Sequence, residues 1–338
     1  MDLNILWFNL LGVLLAGYAV LDGFDLGVGI LHPLARKDAE KRTFMNAIGP
    51  VWDGNEVWLI TFGGALFAAF PHAYATVFSG FYLAFMLLLF ALIFRAVSME
   101  FRSKAESPVW RGFWDKMFFG GSTVATLLFG TAVGDSIHGI PVGADMEYAG
   151  GFLDLLHPYA LLVGVMTVAL FAMHGALYLV MKTDGDLLAR VRRAAGRAFT
   201  VYLVLWAATA ATTLAALPAA RETARTNPAS FAILALGLLV LVGIPFSLRK
   251  EKPFRAFLLS SLHIATLVGL LGTHLYPNLV ISSLNPEWNL TIRNAASSPQ
   301  TLRNMTIIAL IGVPLVLLYT VIIYRTFKGK VKLGETSY

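Results

Sequence analysis

The chain has 338 residues, 57% of them apolar and 14% charged, and its 26 Lys and Arg against 20 Asp and Glu give a formal net charge of +6. An ordinary soluble domain is about a quarter charged, so a water-soluble globule is excluded. The basic excess does not indicate nucleic acid either, because the cations stand in short clusters between apolar runs of about 20 residues, the length that crosses a bilayer core.

Met-Asp-Leu-Asn precedes the first run with neither a basic segment nor a small-residue cleavage site, so a cleaved signal peptide is not expected. Hydropathy places spans near 6–31, 52–71, 75–97, 116–137, 154–181, 197–217, 229–248, 256–275 and 303–326. Each must be helical, since hydrocarbon offers backbone groups no partner and no segment alternates like a barrel strand. The expected fold is therefore an all-α polytopic membrane protein of nine transmembrane helices. We expect two four-helix bundles plus one peripheral helix, in one transmembrane domain over 1–338. Loops at 135–153 and 276–302 are rich in Gly, Pro, Asn and Ser, and read as solvated connections or as surfaces for a partner.

Of the 26 basic residues, 22 fall on one side of this arrangement and 4 (Arg221, Arg225, Arg293 and Arg303) on the other. The loops are short, so the positive-inside rule puts the N-terminus outside and the C-terminus in the cytoplasm. That answer requires an odd number of spans. Absence of cysteine removes disulfides and thiolate-ligated haem or iron–sulfur clusters.

Carboxylates inside apolar spans are the candidate functional groups. One at helix-centre depth costs about 2.5–3.5 kcal/mol, and needs a counter-charge, a water-filled cavity or a proton. The first span carries Asp22 and Asp25 within Val20-Leu21-Asp22-Gly23-Phe24-Asp25-Leu26-Gly27-Val28-Gly29. Three apart, they share a helix face. Gly23 and Gly27 have the small-xxx-small spacing of close helix contact, so the segment also reads as packing with a structurally bonded Asp. The second span opens Gly49-Pro50-Val51-Trp52-Asp53-Gly54-Asn55-Glu56-Val57-Trp58. Asp53 and Glu56 are again three apart, with Trp52 and Trp58 as candidate interfacial anchors; near a helix N-terminus, Asp53 also reads as a dipole-stabilised start. Arg95 ends the third span, before Glu100 and Arg102. In the derived orientation Asp22, Asp25, Asp53, Glu56 and Arg95 lie at similar depth toward the cytoplasm. Consecutive antiparallel helices usually adjoin, so a polar cluster open to the cytoplasm is expected, with Arg95 as counter-charge. A proton entry path requires such a cluster.

Seven histidines occur, at 32, 72, 138, 157, 174, 263 and 274, and only His174 and His263 lie deep in spans. A di-haem cytochrome b would want two helices with two deep histidines each. Both deep residues are expected to be hydrogen-bonded helix histidines, although one could serve a single haem as proximal ligand. No catalytic residue or metal site is expected in this chain, and no H-E-x-x-H, P-loop or nucleophile motif is present.

The segments Leu21 to Gly29, Trp52-Asp53-Gly54-Asn55-Glu56-Val57-Trp58-Leu59, Gly63-Gly64-Ala65-Leu66-Phe67-Ala68-Ala69, Phe78-Ser79-Gly80-Phe81-Tyr82, and Phe94-Arg95 through Arg102-Ser103-Lys104 closely resemble subunit II of the cytochrome bd quinol oxidases. The likeness is dense over roughly the first 115 residues and afterwards rests on length, span count and scattered positions such as Ser260-Ser261-Leu262. It implies a bacterial cytoplasmic (inner) membrane protein and a partner, subunit I, that carries haem b558, haem b595, haem d and the quinol site. It further implies oxidation of quinol coupled to reduction of O2 to water, with protons taken from the cytoplasm. A small single-helix subunit and a structural quinone accompany some members. On the same resemblance Asp25 and Asp53 match a proton route toward the haems; Asp22 and Glu56 join the candidate proton pathway from their depth and spacing. Arg95 matches a position that keeps the haem pair in place. At Gly134-Asp135 relatives often carry Asn, so the carboxylate here departs from the pattern. A proton-coupled transporter would also place carboxylates in helices, but it commonly shows inverted repeats and broken helices in both halves. Here the intramembrane charge is concentrated in the first three spans.

Overall fold

The computed structural model describes residues 2–334. The chain forms α1 (Leu3–Ile30), α2 (Asp38–Ile48), α3 (Trp52–Ala69), α4 (Pro71–Gly80), α5 (Tyr82–Phe101), α6 (Pro108–His138), α7 (Pro158–Lys182), α8 (Gly185–Ala216), α9 (Pro218–Thr226), α10 (Pro228–Arg249), α11 (Pro253–Leu275) and α12 (Pro299–Thr326). Proline stands at the start of α4, α6, α7, α9, α10, α11 and α12, where its missing N–H loses nothing and its fixed φ suits the first turn. Ser107, His157, Asn227 and Ser298 cap four of these starts with a side-chain acceptor. Helices α4, α6, α11 and α12 therefore begin ahead of the apolar runs that hydropathy detects, at 71, 108, 253 and 299 rather than 75, 116, 256 and 303, while α7 begins later, at 158 rather than 154.

Among the described residues, eight helices are long and apolar enough to cross a membrane: α1, α5, α6, α7, α8, α10, α11 and α12. The expected span at 52–71 is α3, whose first turns hold Asp53, Asn55 and Glu56 and dilute its apolar character. The expected span at 75–97 is two helices that break at Phe81. Gly80 lies under the Tyr148 ring there, and a Cβ would come within 2.7 Å of it. Two short helices, α2 and α9, were not expected; both have the composition of surface helices. The all-α expectation needs one small correction, the two-stranded ribbon of β1 (Asn278–Val280) and β2 (Leu290–Thr291).

That ribbon belongs to a cap that the two Gly- and Pro-rich loops build together. Ile140 N donates to Ile281 O at 2.9 Å, Ser283 N to Ile140 O at 2.9 Å, and the Ser282 hydroxyl to Val142 O at 2.8 Å. Ile140, Val142, Leu155, Val280, Leu290 and Ile292 bury one shared apolar core beneath these bonds. The loops thus satisfy their backbone on each other rather than on solvent alone.

Helix α1 is central and packs against α3, α6, α7 and α11. Its approach to α7 is set by glycine. A Cβ on Gly27 would sit 1.9 Å from the Phe171 carbonyl oxygen, and one on Gly175 would sit 2.4 Å from the Gly27 carbonyl carbon. The small-xxx-small reading is thereby realised at Gly27. Gly27→Val is expected to force α1 and α7 apart and to destabilise the chain by about 1–3 kcal/mol or more, since backbone cannot yield as a flexible side chain can. Thermal unfolding of the purified complex measures this.

Candidate functional site

Asp22 lies two-thirds of the way along α1, and its carboxylate is fully buried. Arg95, on α5, is also fully buried. Its Nη2 donates to Asp22 Oδ1 at 2.9 Å, while Nη1 donates to Glu56 Oε1 of α3. One planar guanidinium thus joins three helices through two separate nitrogens, a geometry that a lysine cannot reproduce. The pairing answers the cost of a carboxylate at this depth. The two acids differ in access: the Asp22 side chain is sealed, whereas that of Glu56 is 24% exposed.

Asp25 is likewise fully buried. Asn55 Nδ2 donates to Asp25 Oδ2 at 2.7 Å, and the Tyr324 hydroxyl of α12 donates to Asn55 Oδ1 at 3.0 Å. Oxygens Asp22 Oδ2 and Asp25 Oδ1, together with Arg95 Nε, have no well-aligned hydrogen-bond partner among the described residues. Unsatisfied polar atoms at this density call for water or a partner.

Asp22, Glu56 and Arg95 therefore meet directly, and Asp25 adjoins them through Asn55. Asp53 does not join this contact. It is exposed in the first turn of α3 and makes no ion pair among the described residues, a position that also suits the helix dipole. The Trp58 indole, expected as a candidate interfacial anchor, covers Gly17 halfway along α1, where a Cβ would lie 2.2 Å from the ring. The reason is that Trp58 sits nearly two turns inside α3. Sequence reasoning missed Asn55 and Tyr324 as parts of the site. A carboxamide between Asp53 and Glu56 was a signal for the first. None existed for Tyr324, which α12 brings from 269 residues away.

A second polar cluster closes the same end of the molecule. Asp115 of α6 receives His32 Nε2 at 2.7 Å, Lys41 Nζ at 2.8 Å and Arg102 Nε at 2.7 Å, and Arg102 Nη2 also donates to Asp38 at 2.7 Å. Nearby, Arg190 of α8 closes on Glu40 of α2 at 2.5 Å. Burial alone would raise the Glu40 carboxyl, but Arg190 and the backbone N–H groups of Arg36 and Lys37 outweigh it and hold it at about 2. A depressed carboxylate adds stability that is fully present above the ordinary glutamate range and is lost as pH falls through about 2. Acid-induced loosening of α2 from α8 is expected over that window, and Glu40→Gln should flatten it. Thermal unfolding in detergent at a series of acid pH values provides the check.

The two deep histidines are both engaged. His174 contacts the Ser260 hydroxyl at 2.6 Å and Val20 O at 3.0 Å; His263 contacts the Tyr202 hydroxyl at 2.5 Å and Gly237 O at 3.1 Å. With both ring nitrogens occupied, neither fits the role of a haem axial ligand.

The sequence model of the family described as cytochrome bd terminal oxidase subunit II matches residues 3–327. The chain is 40% identical over 360 residues to the cytochrome bd-I ubiquinol oxidase subunit 2 of Escherichia coli (strain K12), covering 97% of this chain and 95% of that one. It is 36% identical over 340 residues to the cytochrome bd ubiquinol oxidase subunit 2 of Bacillus subtilis (strain 168), covering 99% and 98%. A solved structure, described as that of bd oxidase from Geobacillus thermodenitrificans, superposes with a TM-score of 0.76 at 19% identity, over 97% of this chain and 99% of the matched chain. At that identity the match speaks for the fold.

Proposed function

The chain belongs to the cytochrome bd terminal oxidase subunit II family, and from that membership we propose that its own share of the work is to carry protons and to brace the partner that holds the haems. It is a membrane-embedded subunit of an oxidoreductase complex, a respiratory terminal oxidase. Membership sets aside the transporter reading.

The observation that carries the proposal is the buried Arg95 between Asp22 and Glu56, with Asp25 one residue contact away. Protons would enter past Asp53 and Glu56 and reach Asp25, whose free oxygen is positioned to accept one. Glu56 stands at the edge of the cluster on a face that also presents Val57, Ile60, Phe90, Ile93 and Phe94. A carboxylate facing lipid there would be costly. Contact with subunit I would cover it and lead the path toward haems b558, b595 and d. All three haems are assigned to the partner, because this chain's deep histidines do not fit them. Bound there, the haems supply electron transfer and O2 reduction; Asp22 and Glu56 hold Arg95, and Asp25 holds and passes a proton. Quinol is the proposed electron donor.

We place the protein in the bacterial inner membrane with nine spans in one domain, α3 being the ninth. Its support is position: α3 meets α12 at both ends, through Asn55 with Tyr324 and through Ala69 O with Ser297 N. Spans α1, α3, α5 and α6 would form one bundle and α7, α8, α10 and α11 the other, with α12 peripheral. The 22 to 4 division of basic residues supports an external N-terminus and a cytoplasmic C-terminus.

Co-purification followed by a reduced-minus-oxidised spectrum tests the reading. Haem b and haem d absorbance is expected in the complex and none in this chain alone; haem retained by the isolated chain would overturn the assignment. Asp53→Asn is expected to slow oxygen consumption only a few-fold, because water can bypass an exposed site; an oxygen electrode reads this directly.

A further inference from the structure

At the end of the bundle opposite Arg95, α6 carries a buried acid that the proposed path does not use. Asp135 is 1% exposed, and neither of its carboxyl oxygens has a hydrogen-bond partner among the described residues. The His157 Nε2 atom lies 3.2 Å from Asp135 Oδ1, close enough for an ion pair but poorly aligned for a hydrogen bond. Asp135 and Ser136 line a cavity of about 70 Å³, whose other walls are apolar residues of α4, α5 and α6 and the segment 279–281. A water needs about 10–15 Å³ of such volume and two to four polar partners. The volume has room for water, and the unbonded carboxyl with the Ser136 side chain is the polar part of its lining.

The tautomer of His157 follows from its backbone role. Its Nδ1 accepts the Ala160 N–H at 3.3 Å and caps α7, so the ring proton sits on Nε2, on the side of Asp135. Burial, and then the neighbouring His138 ring, tilted at a centroid distance of 4.3 Å, hold His157 below the ordinary imidazole range. Protonating it would also break the cap. Hence no cation faces Asp135 from α7. From the other elements, His138 of α6 bonds Gly139 O, His274 of α11 bonds Ile137 O, and Tyr148 and Asp154 stand in the loop beyond; none supplies a fixed positive charge. A carboxylate held among mostly apolar walls without a cation is costly, and carrying a proton removes that cost. His157 is 21% exposed at its side chain, so the pair lies close to the surface at this end of the bundle.

We propose that Asp135 and His157 form a proton-binding site in which Asp135 is a hydrated carboxylic acid that exchanges its proton with the medium through the cavity water. Exchange moves one proton from the carboxyl oxygen to water and back; no bond to carbon changes and nothing is oxidised. The Nε2–H of His157 steadies the carboxylate during the interval. The site stands apart from the reading of the Arg95 cluster and survives or fails independently of it. It gives the subunit an exchangeable acid at each end of the bundle.

Infrared difference spectroscopy on the intact complex is the test. The C=O stretch of a protonated carboxylic acid is expected in the native complex at neutral pH, to be lost in Asp135→Asn, and to move within minutes of transfer to D2O. His157→Gln is expected to shift the same band, because the donor beside the carboxyl changes. Superimposable native and Asp135→Asn spectra in the carboxylic-acid region would overturn the proposal, as would a band that D2O leaves unmoved. Should Asp135→Asn not assemble, an unshifted band in His157→Gln overturns it equally.

Discussion

Arg95→Ala is expected to abolish the haem-loaded oxidase. The substitution removes the ion-pair partner of Asp22 and leaves that acid sealed and without a counter-charge. Breaking one side of a buried pair costs about 3–5 kcal/mol, a large part of the total stability of a domain. Three helices lose their junction at once, since Arg95 ties α5 to both α1 and α3. Arg95→Lys should retain part of the haem, because one ammonium can serve one carboxylate well but not two separated ones. Pairing Arg95→Ala with Asp22→Asn should restore assembly in part by discharging the orphaned acid. Haem content of the purified complex, read from its reduced-minus-oxidised spectrum, decides the matter. Full haem occupancy in Arg95→Ala alone would show that this junction does not support the cofactors.

Asp25→Asn, by contrast, should assemble normally and turn over slowly. An asparagine at this position still offers an oxygen to Asn55 Nδ2, so the 2.7 Å contact and the Tyr324 link behind it persist. Only the capacity to take up a proton is lost. Proton transfer by a positioned side chain contributes about 10²–10⁴-fold to a rate, and oxygen consumption is expected to fall by about a hundredfold with haem spectra unchanged. Unaltered turnover with intact proton uptake would remove Asp25 from the route. The two variants thus separate the parts the site plays: Arg95→Ala tests bracing through assembly, and Asp25→Asn tests conduction through rate.

The acids and the arginine announced themselves because charge is rare in apolar helices and expensive there. Asn55 and Tyr324 were less visible, since a carboxamide or a phenol carries no charge, is satisfied by ordinary hydrogen bonds and occurs in spans for many reasons. Hydropathy also recognised the helices more readily than their ends, which prolines and capping side chains determine.

From the residue string alone came the membrane as solvent, the helical state of every span, the side on which basic residues gather and the membership in a family of oxidase subunits. These follow from local composition, because a bilayer imposes length and apolarity on each segment separately. Which acids meet was decided only in three dimensions. Asp22 and Glu56 converge on Arg95 while Asp53, equally well spaced from Glu56, stays outside, and Asp135 finds His157 across a loop. Such contacts depend on helix rotation and on how near two backbones may come, as at Gly27 and Gly175. Those quantities are set by packing between distant segments, which local spacing does not encode.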